Sequence, residues 1–305
     1  MKKIVGAVTT LLLVLSMLVG CSQSESTSAS STTIKIGSQS TSEQLIIANM
    51  LKLLIEENTK LKPEIVSGLS STPVVFKAMN NNDIQISAVR YVGTDLTSSL
   101  QIKEPPKNPE EALKTVQKGM QEKYDQTWFP SYGFENTYVF TVRQDVADKL
   151  KLEKISDVKP YAKDMKLGTD NGWLERTLDG YPSFSKNYGI EFGQKSPMDI
   201  GLVYKAVSNK DVDIVLAYST DARLKEYKLK TLEDEKHFFP PYQASPVVRN
   251  DMLKSHPELK DVINKVAGKI DTATMTALNY QADVEKKDPE EIAKSFLKEK
   301  GLLKK

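Results

Sequence analysis

The chain has 305 residues, 39% apolar and 27% charged, the balance of a water-soluble globular protein long enough for two domains with their own cores. Its 42 basic and 40 acidic side chains leave a formal charge of +2, which excludes the basic excess that phosphate-directed nucleic-acid binding requires. One cysteine and two histidines exclude a disulfide framework and a zinc cluster, no EF-hand spacing occurs, and no G-x-S-x-G elbow supplies a hydrolase nucleophile. His237 and His256 read as surface or structural residues, and neither a metal nor a cofactor is expected.

Lys2 and Lys3 precede an apolar, leucine-rich run from Ile4 to Val19, a positive n-region followed by the h-region of an export signal. Its loss leaves 40 basic against 40 acidic side chains, a mature charge near zero. The run is shorter than the roughly 20 residues of a membrane span, and it ends in Leu18-Val19-Gly20-Cys21, which resembles a bacterial lipobox. Residues 1–20 are thus expected to be removed and Cys21 to be lipidated. Ser22 to Thr33 is almost all Ser and Thr, too polar to bury a core, and reads as a flexible tether.

Ile34 to Ile36 reads as a first strand. Ser40-Thr41-Ser42-Glu43 has the form of a capping box ahead of apolar residues at helical spacing, Ile46, Ile47, Met50, Leu51, Leu54 and Ile55. Gln39 then stands at the strand-to-helix junction. Glu64 to Gly68 is a second strand, Pro73 to Met79 a short helix, and Ile84 to Val89 a third strand. Strands alternating with helices predict parallel crossovers and an α/β sheet. Tyr91 and Thr94 follow the third strand, where Tyr91 reads either as core packing or as a group facing a cleft. Asn108-Pro109 begins a polar helix to about Tyr124, Trp128 reads as aromatic filler or rim, and Glu135 to Val142 is a strand at the first passage between lobes.

Beyond it Lys166 to Gly168 is a strand, and Trp173, Arg176 and Asp179 lie in the segment that follows. Asp199 to Ser208 is a helix feeding the buried strand Asp211 to Ala217, whose apolar run Val212, Ile214, Val215, Leu216 ends in turn-forming residues. Tyr218 therefore sits at a strand's carboxyl end, where open α/β sheets hold their ligands. Tyr242 precedes another strand-like run through Val248. Three helices close the chain, Pro257 to Gly268, Thr272 to Val284 and Pro289 to Lys300, with Gly301 as a C-terminal stop. The expected organisation is a discontinuous lobe I, residues 34–134 and 243–305, and a lobe II, residues 135–242 with the hinge strands.

The ordered set GSQSTSEQ (Gly37 to Gln44), RYVGTD (Arg90 to Asp95), GFENTY (Gly133 to Tyr138), LDGYP (Leu178 to Pro182), AYSTDAR (Ala217 to Arg223) and FFPPYQASPVVR (Phe238 to Arg249), behind a lipobox, resembles the substrate-binding lipoproteins of osmoprotectant ABC importers. These serve glycine betaine, carnitine and choline in Gram-positive bacteria. The resemblance implies an α/β, two-lobed type II periplasmic-binding-protein fold, not an enzyme. It also implies an aromatic cage of Tyr91, Tyr138, Tyr218 and Tyr242, with Gln39 and Thr94 at the solute's polar end. The implied partners are a membrane permease and its ATPase, at the extracytoplasmic face of the membrane, with the protein a lipid-anchored monomer.

A trimethylammonium group has no N–H to donate, so ring faces are its available attraction, each contributing roughly 0.5 to 2 kcal/mol. Four rings give roughly 2 to 8 kcal/mol before the cost of closure, compatible with micromolar binding at about 8 kcal/mol. Thr94, being neutral, would tolerate both betaine carboxylates and choline; if Asp95 faces the solute instead, that inference reverses. The alternative is the same fold serving an amino acid or sulfonate, which would need an arginine clamp, with Arg176 the candidate.

Overall fold

The computed structural model describes residues 32–304. The export signal, Cys21 and the tether as far as Ser31 lie outside the described residues. Strands β1 (Thr33–Gly37), β2 (Lys62–Val66), β3 (Ile86–Tyr91) and β4 (Gln126–Trp128) belong to one sheet. Strands β5 (Tyr138–Arg143), β6 (Lys166–Thr169), β7 (Gln194–Pro197), β8 (Ile214–Tyr218) and β9 (Leu229–Thr231) form a second. Strand β10 (Ala244–Arg249) returns to the first, giving the orders β2-β1-β3-β10-β4 and β7-β6-β8-β5-β9. In each sheet four strands run in one direction and one, β10 or β5, runs against them between two neighbours.

Both sheets are covered on two faces, which is why their central strands read as apolar runs rather than alternations. Along β8, Ile214 and Leu216 enter one cluster with Phe140, Leu167 and Trp173, while Val215 and Ala217 enter another with Val203 and Val207. In the first sheet Val248 joins the cluster built on helices Ser42–Asn58 and Pro289–Glu299, and Val247 the opposite cluster with Val116 and Trp128.

Several expectations are corrected at their ends. The helix after β1 runs Ser42–Asn58 with Thr41 as N-cap, and no side-chain cap bond is made. The capping box does not form, because Glu43 turns inward and is 4% exposed. Of filler and rim, Trp128 is filler: it is 3% exposed within β4 and packs in the buried cluster with Val116 and Val247. The strand predicted from Glu135 begins at Tyr138, since residues 135–137 are taken up in the crossing between sheets. The helix expected from Pro257 is shortened to Leu259–Asn264, and the left-handed Gly301 ends the last helix as expected.

The chain crosses between sheets twice, over residues 129–137 and 232–243, and the two crossings run side by side. Glu135 and Gln243 form an antiparallel bridge, and the Asn136 N–H donates to the Tyr242 carbonyl at 3.2 Å. Immediately after β3, Arg90 and Asp95, both fully buried, form a two-point ion pair, with Arg90 Nε donating to Asp95 Oδ2 at 2.8 Å. The guanidinium also lies against the rings of Phe76 and Trp128. Removing one member of such a pair strands a buried charge, a loss of about 3 to 5 kcal/mol. Chemical denaturation of Asp95→Ala is expected to show a loss of that size, and a variant as stable as wild type would contradict the pairing.

Candidate functional site

The paired crossings and the strand directions bring one end of each sheet to a common seam. Tyr91 closes β3, Gln39 follows the parallel β1 by two residues, and Thr94 follows Tyr91 by three. Strand β10 is antiparallel to β3, so its entry, with Tyr242, lies at the same end. In the second sheet Tyr218 closes β8 and Tyr138 opens the antiparallel β5, and the two are direct cross-strand partners. All six residues singled out in the sequence therefore sit at the ends of strands that meet at the seam.

Tyr138 is the centre of the aromatic group. Its ring lies 5.4 Å from Tyr218, 5.7 Å from Tyr242 edge-on, and 5.5 Å from Phe239, within the range of favourable ring pairing. Tyr91 packs against the core clusters of both lobes but makes no ring pair with the other three among the described contacts. Gln39 donates through its side chain to Thr72 Oγ1 at 3.3 Å. Thr94 is buried, and no hydrogen bond joins it or Gln39 to the tyrosines. Asp95 is held by Arg90, which leaves Thr94 as the member of that pair free of an ion pair.

Residues to which the sequence reading gave no part in the cage hold the rings in place. Asp179 is 2% exposed and accepts from the Tyr242 hydroxyl at 2.8 Å and from Arg176 Nε at 2.9 Å. Its carbonyl takes the indole N–H of the buried Trp173 at 2.9 Å. Arg176 Nη1 donates in turn to the Tyr138 hydroxyl at 3.1 Å, and the guanidinium lies 5.2 Å from that ring. Glu43 accepts from the Tyr91 hydroxyl at 2.6 Å. The i, i+3 spacing of Arg176 and Asp179 is the one sequence signal of this network. Gly93 makes the close approach of Tyr242 possible: a Cβ there would stand 2.9 Å from Tyr242 Cε1 and 2.7 Å from Pro240 Cγ.

The phenols, neutral at physiological pH in any case, are made harder still to ionise by burial. It pushes Tyr138 up to about 12 and raises Tyr91, Tyr218 and Tyr242 well above the ordinary phenol value. The arrangement presents uncharged, dry aromatic faces, suited to attracting a cation that cannot hydrogen-bond. An indentation of about 670 Å³ lined by Lys107, Asp234, His237 and Phe239 also touches Tyr138. Tyr91, Tyr218 and Tyr242 do not line it, so it is a separate feature beside the crossings.

Two α/β lobes joined by paired crossings, with an aromatic group at their seam, define a two-lobed solute-binding protein. Residues 32–299 match the family model described as the substrate-binding domain of the ABC-type glycine betaine transport system. The chain belongs to that family, whose members are binding components rather than enzymes. It is 49% identical over 303 residues to the carnitine transport binding protein OpuCC of Listeria monocytogenes, covering 99% of this chain and 98% of the relative. It is 30% identical to the glycine-betaine-binding protein of Pseudomonas aeruginosa, covering 90% of each. A crystal structure titled glycine betaine/carnitine/choline ABC transporter is 48% identical, superposes with a TM-score of 0.72, and is covered over 99% of its length and 88% of this chain.

A phenol whose folded-state pKa is raised contributes stability that is full below its unfolded value near 10 and is lost as pH rises through the folded value. The difference between alkaline absorbance titrations of wild type and Tyr138→Phe is therefore expected to show a tyrosinate centred near pH 12. A transition near the free-phenol value would contradict the burial of this ring.

Proposed function

We propose that the protein is the extracytoplasmic capture component of an ABC importer for quaternary ammonium solutes such as glycine betaine, carnitine and choline, used as osmoprotectants. Tyr91, Tyr138, Tyr218 and Tyr242 surround the methylated nitrogen, and Gln39 and Thr94 receive the polar end of the solute. The loaded protein docks on a membrane permease and, through it, on an ATPase. Cys21 carries the lipid that holds it, as a monomer, at the outer face of a Gram-positive cell membrane. Residues 34–134 with 243–305 form one lobe and residues 135–242 the other, and closure of the two encloses the solute.

The observation that carries this reading is the placement of Tyr138 within 6 Å of both Tyr218 and Tyr242, at 5.4 and 5.7 Å. Neutral rings attract a cation without the desolvation that a buried carboxylate would suffer. The family and the 49% identical carnitine-binding relative support it. An amino acid or sulfonate site would require a free arginine fork. Arg176 Nε and Nη1 are already committed to Asp179 and Tyr138, and only Nη2 is left, buried without a partner, so the two-point fork that alternative needs is missing.

Titration calorimetry with glycine betaine, carnitine, choline and free amino acids tests the proposal. The quaternary compounds are expected to bind and the amino acids not to, and Tyr138→Ala or Tyr218→Ala should weaken every quaternary ligand by roughly tenfold or more. Alanine variants that bind as tightly as wild type would remove the cage. Thr94→Asp is expected to shift the choline-to-betaine preference toward choline, because a new carboxylate repels the betaine carboxylate. An unchanged ratio would place the solute's polar end elsewhere.

A further inference from the structure

Glu43 is 4% exposed and has no cation among its hydrogen-bond partners. Oε1 accepts from the Tyr91 hydroxyl at 2.6 Å and from Asn136 Nδ2 at 2.9 Å. Oε2 accepts from Thr220 Oγ1 at 2.6 Å and from Asn279 Nδ2 at 3.3 Å. Four donors fill the four lone-pair positions of an ionised, acceptor-only carboxylate. Asn136 turns its donor toward it and leaves Oδ1 buried without a partner, the orientation an acceptor-only group imposes, while Asn279 Nδ2 is shared between Glu43 and the Thr220 carbonyl at 3.1 Å. Burial pushes the Glu43 pKa up, and the four donors oppose that shift.

We propose that Glu43 is the anionic outer layer of the tyrosine cage, a positioning residue that fixes Tyr91 and enriches its ring face in electrons, strengthening the attraction for a methylated cation that it never touches. The inference rests on the cage reading and adds to it the source of cation preference. A phenol that donates to a carboxylate gains electron density on its oxygen and ring, and in a dry environment the effect is transmitted with little screening. A carboxylate placed directly against a trimethylammonium would be desolvated with no hydrogen bond in return. One layer back, its lone pairs are already filled.

Asp179 cannot play the same part in full, because Arg176 neutralises it while it accepts from Tyr242. Glu43 has no such counter-charge. It is also a meeting point of the two lobes, since Thr220 follows β8 in the second sheet whereas Tyr91 and the helix Ser42–Asn58 belong to the first. An effect of Glu43 on closure would act on any enclosed solute alike, whereas an electronic effect acts on cations alone.

That difference makes the test. Wild type and Glu43→Gln are titrated with choline and with its uncharged carbon isostere, in which a tert-butyl group replaces the trimethylammonium, the weaker ligand being measured by displacement of labelled choline. Glu43→Gln is expected to weaken choline by roughly tenfold and to change the isostere by less than about twofold, so that the preference for the cation shrinks. Equal losses for both ligands, or no loss for either, would overturn the proposal. If Glu43→Gln does not fold, Tyr91→Phe carries the test, since it keeps the ring and removes the hydroxyl, and the same selective loss is required of it. Wild type failing to bind choline, or Tyr138→Ala and Tyr218→Ala leaving its binding intact, would refute the underlying cage independently of any result at Glu43.

Discussion

The site depends on the antiparallel pairing of two crossing segments, residues 129–137 and 232–243. The bridge between Glu135 and Gln243, reinforced by Glu135 Oε1 accepting from the Tyr242 N–H at 2.8 Å, sets Tyr138 and Tyr242 close to each other where the sheets approach. Each crossing leaves an edge strand and enters an interior strand of the other sheet, its backbone groups bonded partly to the other crossing and partly to neighbouring segments, as with Ile270 N–H to the Tyr132 carbonyl and Leu232 N–H to the Phe140 carbonyl. From this geometry the two tyrosines inherit positions that neither lobe alone would give them. The same arrangement suits a hinge, because two short extended segments can absorb a rotation without disturbing either core.

The chemistry of the rings is set by what stands behind them. Tyr242 is oriented by Asp179, Tyr138 by Arg176, and Tyr91 by Glu43, so each of these hydroxyls has a partner that fixes the angle of its ring. Charged groups are drawn into the outer layer, where they meet one another or a full set of donors, and the inner layer remains neutral. Burying Glu43, Asp179 and Arg176 costs desolvation, offset only by hydrogen bonds of good geometry. That cost is consistent with a requirement for ring placement rather than for stability.

Much of this was legible in the chain, and the reasons for the exceptions are physical. Strands β3 and β8 are buried on both faces; β8 appears as a continuous apolar run and β3 as an apolar run interrupted by Ser87 and Arg90, which places Tyr91 and Tyr218 at their ends by pattern alone. Edge strands β4, β7 and β9 carry Gln126, Lys195 and Lys230 among three or four residues and owe their existence to pairing with a neighbour, which no local pattern records. Tyr138 reads as an ordinary in-strand aromatic, and only its pairing with Tyr218 sets it apart. Glu43 was obscured by a stronger local signal: S-x-x-E ahead of an apolar helix reads as a capping box, whereas the donors that draw it inward come from Tyr91, Asn136, Thr220 and Asn279, distant in the chain. Resemblance to a family supplied the fourth tyrosine but says nothing of these outer partners.

The central claim is that uncharged rings recognise methyl groups on a cationic nitrogen. Its most direct measurement is the affinity of the mature protein for glycine betaine, dimethylglycine, monomethylglycine and glycine, a series in which the carboxylate is constant and only the methyls are removed. The account predicts that affinity falls at every step, because each methyl lost removes contact with a ring face and each N–H gained raises the cost of leaving water. Glycine binding as tightly as glycine betaine would contradict it.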